Sequence, residues 1–252
     1  MTPDEGIAAC AGLVQRGDPT RFRAVMAAPV PLRRMLFPLY AFNLEVARAP
    51  LVTKEPMIAE MRLQWWRDAL SEIAAGGPVR HHEVVTPLAD VLDAQGARDL
   101  DDLIEARRSD IEGLRPADAN ELTRYIDRTA GTLLWTAARL AGATDENAAR
   151  QGGLAQGLAN WLHAVPDLVA RNRQPLPPGE PDMRMRELAQ TGLDALARAR
   201  SARVAKSARP VFLVLADTGA RLRAIRRDPG APVRETPFRD RLRLGLRSLR
   251  GW

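Results

Sequence analysis

The sequence predicts an all-α fold. Apolar residues recur at spacings of three and four along the chain, few segments alternate with period two, and prolines and glycines fall where helices would start and stop. Asp18-Pro19 pairs an N-cap with proline at the first helical position, opening a short helix that closes near Pro29. A second helix begins after Pro31 and ends before Pro50. The next follows Pro56, aligns Ile58, Met61, Trp65, Ala69 and Ile73 on one stripe, and stops at Gly76-Gly77-Pro78. A loop runs to about Glu83, then shorter helices cover Thr86 to Gln95 and Asp99 to Gly113.

Asp118 with Glu121 resembles a capping box, and it opens a long helix in which Leu122, Tyr125, Thr129, Leu133, Ala137 and Leu140 share a face. Thr144 is the expected cap of a helix carrying Gly152, Gly153 and Gly157, which let a backbone or ligand come close; it ends or kinks near Pro166. Asn172 to Pro181 is a loop, followed by helices at Met183 to Lys206 and Pro210 to Arg227. The domain organisation expected is one helical domain over 1–235 and a basic amphipathic helix over 236–252, where Phe238, Leu242, Leu246 and Leu249 alternate with arginines. Such a helix lies on an anionic membrane, docks in a partner groove, or packs on its own domain.

Composition narrows the partners. The 252 residues are 46% hydrophobic, enough for one large core, and carry a formal charge of +6 that is almost wholly arginine, since Lys54 and Lys206 are the only lysines. That balance favours an anionic partner, and it is also what a GC-rich genome produces. A lone Cys10 excludes an intramolecular disulfide and a cysteine zinc site. The longest apolar run, Val211 to Ala216, is too short to span a bilayer, and no signal peptide is recognisable. The expected location is cytoplasmic, peripheral at most on the inner face of the membrane. No groove-reading motif accompanies the arginines, so nucleic acid is not an expected partner.

No phosphate loop, H-E-x-x-H or G-x-S-x-G is present. His81-His82-Glu83 falls in a loop, where adjacent residues rarely face one ion. Carboxylates at helical spacing (Asp68 with Glu72, Asp90 with Asp93, Asp101 with Glu105) sit among arginines or opposite the apolar stripe, as on a solvated surface.

Leu39-Tyr40-Ala41-Phe42-Asn43, followed by Met61-Arg62-Leu63-Gln64-Trp65-Trp66-Arg67-Asp68-Ala69-Leu70, resembles the squalene and phytoene synthase family. Leu103 to Asp110, Tyr125 with Ala130-Gly131-Thr132, and Gly157 to Pro177 agree with it in order. The resemblance implies an isoprenoid-synthase-like helical bundle in which two aspartate-rich motifs hold Mg²⁺ against the diphosphates of two prenyl substrates. A diphosphate leaves only when its charge is neutralised, and facing aspartates supply the oxygen ligands.

Aligned on Tyr40-Ala41, the first motif has Leu44 at the family's arginine, Ala47 at its first aspartate, Arg48 beside it and Leu51 at its last. Counted back from Leu176-Pro177, the second has Gly157 for a glutamine, His163 for an arginine, and Ala164 and Leu168 for the aspartates, with Asp167 one residue off the needed face. A one-residue slip restores neither pair. These replacements are similar to a degenerate branch of the family that includes a mitochondrial assembly factor of respiratory complex I.

The expected function is therefore that of a non-catalytic member, with no cofactor and no metal. It would bind a prenyl lipid or a respiratory-complex subunit at a membrane surface reached through 236–252. Tyr40, Asn43, Trp65, Trp66, Tyr125, Asn160, His163 and Arg173 are the candidate pocket or remnant ligand-binding residues. The alternative is an active Mg²⁺-dependent prenyl diphosphate transferase whose metal is held by other carboxylates, such as Asp110 with Asp68.

Overall fold

A computed structural model describes residues 2–53, 55–230 and 244–245, so the expected tail helix at 236–252, and the boundary before it, lie outside the described residues apart from Leu244 and Gly245. Every regular element among the described residues is helical. In chain order they are α1 (Pro3–Gly17), α2 (Pro19–Met26), α3 (Val30–Arg48), α4 (Pro56–Ala75), α5 (Val85–Ala89), α6 (Ala94–Arg107), α7 (Ala119–Ile126), α8 (Thr132–Leu140), α9 (Glu146–Ala170), α10 (Pro181–Ser201) and α11 (Thr218–Arg227).

Two helices are interior. Met35 to Asn43 of α3 is a continuous buried run, as is Gly152 to Ala159 of α9, whereas the other long helices bury one face only. A helix apolar all round must be enclosed on all sides. Accordingly α3 is covered by α1, α2 and α5, and α9 by α7, α8, α10 and α11. α4 pairs with α6 on one flank.

Several boundaries differ from the sequence reading. The first helix was not foreseen, although Thr2 and Glu5 form a full capping box. Asp145, not Thr144, caps α9, accepting from the Ala148 N–H. The segment expected as Thr86 to Gln95 holds only the short α5, and Asp93 instead caps α6 through the Gly96 N–H. α9 continues through Pro166 to Ala170, because Leu162 and Val165 hold that turn in the core while the proline faces outward. The helix expected at Pro210 to Arg227 divides into a 3₁₀ stretch, Arg209–Leu215, and α11; the one before it ends at Ser201 rather than Lys206. The long helix after Asp118 is interrupted by a π turn, Asp127–Gly131, between α7 and α8.

That π turn lies close against α9. A Cβ on Gly153 would sit 2.6 Å from the Gly131 Cα and 2.8 Å from the Ala130 carbonyl carbon, and closer still to the Ala130 oxygen. α9 therefore rests directly on backbone at this point, which only glycine allows.

Cys10 is fully buried in α1 and donates to the Glu83 carbonyl at 3.5 Å. Burial, reinforced by the Glu83 carboxylate, pushes its thiol up to about 12. The nucleophilic thiolate is thus negligible in the native protein, and iodoacetamide at about pH 8 is expected to label Cys10 only after denaturant is added. Labelling of the folded protein, followed by mass spectrometry, would contradict this burial.

Candidate functional site

A cavity of about 310 Å³ opens between the C-terminal parts of α3 and α9. α3 and the turn after it present Asn43, Ala47 and Leu51, four residues apart and so on one face. α9 answers with Gly157, Asn160, Trp161, Ala164 and Leu168, again one helical stripe. The four positions at which the family's pattern has aspartates, Ala47, Leu51, Ala164 and Leu168, thus face one space, and all four are apolar.

The remaining wall is polar at one side. Arg107, at the end of α6, donates to Asp110 Oδ2 at 3.1 Å and to the Tyr125 hydroxyl at 2.7 Å, and that hydroxyl donates to Asp110 Oδ1 at 2.7 Å. Burial, with Asp110 alongside, raises the Tyr125 phenol above its ordinary value against the pull of Arg107, so it stays a donor. Tyr125 also packs edge-on to Trp161, whose indole N–H donates to the Pro175 carbonyl at 2.9 Å. Arg21 reaches the cavity from α2 while bonded to Asp18 Oδ2 at 3.2 Å and Gln156 Oε1 at 3.3 Å. Arg173 lies over Gly113, whose φ of +76° and missing side chain make room for the guanidinium; that side chain has no hydrogen-bond or ion-pair partner among the described residues, while the Arg173 N–H donates to the Leu168 carbonyl.

Of the sequence-expected residues, the cavity gathers Asn43, Tyr125, Asn160 and Arg173 with the four degenerate positions. Four others lie outside its lining. Tyr40 points into the core, fully buried, with the Arg21 guanidinium 5.1 Å from its ring centre, and burial pushes its phenol up to about 12. Trp65 and Trp66 form an edge-on cluster with His82, at 5.0 and 5.5 Å, and Trp66 also meets Phe42 at 5.4 Å. His163 is exposed on α9, because position 163 turns away from the 157–160–164 stripe.

Arg21 and Arg107 were not anticipated. Their isolated positions in an arginine-rich sequence carry no signal of burial, although Asp18 three residues before Arg21, and Asp110 three after Arg107, mark helix-spaced partners.

The carboxylates that an alternative metal site would use do not converge. Asp110 is the only carboxylate among the described lining residues, and Tyr125 and Arg107 already occupy it. Asp68 lines a separate groove between α4 and α6, where Gln64 donates to it at 2.8 Å. Asp167 is exposed outside the cavity lining. The helical carboxylate pairs serve arginines: Asp101 and Glu105 hold Arg67, Glu72 holds Arg80, and Asp93 holds Arg139. Among the described residues no three His, Cys, Asp or Glu side chains cluster as metal ligands.

Comparison with known proteins agrees with this architecture. The chain is 32% identical to the Drosophila melanogaster homolog of NADH dehydrogenase (ubiquinone) complex I, assembly factor 6, over 68% of this chain and 54% of that protein. It is 27% identical to the Homo sapiens assembly factor 6 over 67% and 52%. The chain thus spans about half the length of the curated relatives it matches. Among solved structures, a dehydrosqualene synthase in complex with ligand superposes with a TM-score of 0.80 at 13% identity, covering 98% of this chain and 96% of that one. A squalene synthase, HpnC, from Alicyclobacillus acidocaldarius gives 0.72 at 17%, covering 90% and 95%. The squalene/phytoene synthase family pattern matches residues 14–180, which hold both cavity helices and the polar wall between them, and the chain belongs to that family.

Proposed function

We propose that this protein acts by binding, in an assembly-type role for respiratory complex I, with its cavity holding a single apolar chain such as a prenyl lipid at the inner face of the membrane. The observation that carries the reading is the apolar character of Ala47, Leu51, Ala164 and Leu168 together, across one cavity. Mg²⁺ takes oxygen ligands in near-octahedral geometry, and these four side chains offer none. Without the metal, the charge of a leaving diphosphate has no counter-ion on that side of the cavity. The size of the space supports one occupant, since it lies at the lower end of the roughly 300–1,000 Å³ usual for a small-molecule site. The likeness in sequence to the assembly factors supports the choice of complex I.

Deleting the gene is expected to lower the amount of assembled complex I on native gels, and normal levels would overturn the assembly role. Purified protein given Mg²⁺ and farnesyl or geranylgeranyl diphosphate is expected to yield no condensed product by mass spectrometry. Formation of one would establish a prenyl transferase instead.

A further inference from the structure

We propose that the inner end of the cavity binds the head of the lipid it holds, and that this head is uncharged and offers a carbonyl oxygen, as that of a prenyl quinone does. Along the α3 stripe burial deepens from Leu51, 59% exposed, through half-buried Ala47 to Asn43, 7% exposed. Arg21 is equally buried and meets Asn43 at this end. Its guanidinium lies over the ring of Tyr40, one turn before Asn43, and bonds Gln156, the residue before the lining Gly157.

Both side chains keep unused donors. The Asn43 amide has no hydrogen-bond partner among the described residues, although the residue is more than nine-tenths buried. Asp18 and Gln156 take two of the Arg21 guanidinium N–H groups, and the others, Nε among them, have no partner among the described residues. A buried amide left unpaired is costly, so one that lines a cavity is answered by what fills it.

The donors and the charge select the head. Arg21 presents only N–H groups and Asn43 an NH₂, and both can donate at once to one carbonyl oxygen, which has two lone pairs and no proton of its own to place. The charge here is already balanced, because an Asp18 carboxylate oxygen lies 3.2 Å from the Arg21 guanidinium. Asp110 answers Arg107 in the same way, which leaves half-buried Arg173 as the one lining guanidinium without a partner among the described residues. A diphosphate would bring several negative charges to one unanswered cation, whereas a neutral oxygen needs only the donors present. Ala47 and Leu51 follow Asn43 at four-residue steps, so an apolar chain attached to the head runs outward along them.

This assignment rests on the reading of the cavity as a site for one apolar chain, and its test separates the two. Titration calorimetry of the full-length protein without Mg²⁺ uses probes that share a geranyl chain: a geranyl benzoquinone, geraniol, geranyl diphosphate and the parent hydrocarbon. The quinone is expected to bind about tenfold more tightly than the hydrocarbon, and more tightly than the alcohol or the diphosphate. Asn43→Leu should bring the quinone down to the level of the hydrocarbon and leave the hydrocarbon unchanged. In the infrared, the quinone bound to the parent protein should show a carbonyl band moved to lower frequency, a readout that holds even where the variant does not fold. Equal binding of quinone and hydrocarbon, tightest binding of the alcohol or the diphosphate, an unshifted carbonyl band, or a folded Asn43→Leu that keeps the quinone preference would each overturn the head assignment while leaving the apolar-chain reading in place. Binding of none of the probes would overturn both.

Discussion

Gly153→Ala is expected to lower the melting temperature by roughly 6–12 °C, a loss of about 3 kcal/mol in a chain of this size. The sign is opposite to what helix propensity alone gives, since alanine inside a helix is about 1 kcal/mol better than glycine. The neighbours of the added methyl decide the outcome. They are Ala130 and Gly131 backbone atoms inside the π turn, and backbone there has no rotamer through which to withdraw. Gly12→Ala is the control, because its Cβ would meet only the tip of Arg16 at 3.3 Å. That variant should melt at or slightly above the parent temperature. If the two alanine variants melt alike, α9 does not rest on the π turn as closely as described.

Asp110→Ala should cost about 2–4 kcal/mol in denaturant titration, because it leaves the Arg107 guanidinium in the cavity wall with the Tyr125 hydroxyl as its remaining side-chain acceptor. Side-chain exposures of 20% and 17% for Arg107 and Asp110 place the pair well inside the protein, short of full burial, hence the middle of the range. Tyr125→Phe removes the hydroxyl that donates to Asp110 and accepts from Arg107 but keeps the ion pair, so about 1–2 kcal/mol is expected. The ranking is the test: a larger loss from Tyr125→Phe than from Asp110→Ala would mean that the ion pair contributes little, and that the hydroxyl alone organises this wall.

The helices were legible wherever local chemistry marks their ends. Asp18-Pro19, Pro56, Gly76 and Asp118 each have an unambiguous reading, and those boundaries agree with the structure to within a residue or two. The π turn was not legible, because Leu122, Tyr125, Thr129, Leu133 and Ala137 are all buried, and an inserted residue leaves such a stripe nearly intact. The apolar floor of the cavity could be read by register, since Ala47 and Leu51, and Ala164 and Leu168, are each one helical turn apart. Its polar wall could not. Arg107 and Asp110 are three residues apart, but Tyr125 reaches them only through the packing of α7 beside α6, and that pairing at a distance leaves no spacing to find. His163 shows the opposite error: an aligned position on the chain is one step of 100° away from the face that matters.

The four apolar side chains around the cavity also constrain what this sequence can become. Building a metal site there takes several new aspartates, and the first of them would arrive as one carboxylate on an apolar stripe, with only the arginines of the opposite wall to answer it. Each partial set grips no ion, so no early substitution brings a benefit that selection can act on. Small apolar exchanges among the same positions are nearly neutral. Exchange at these four positions therefore alters the shape of the pocket far more readily than it supplies a set of metal ligands.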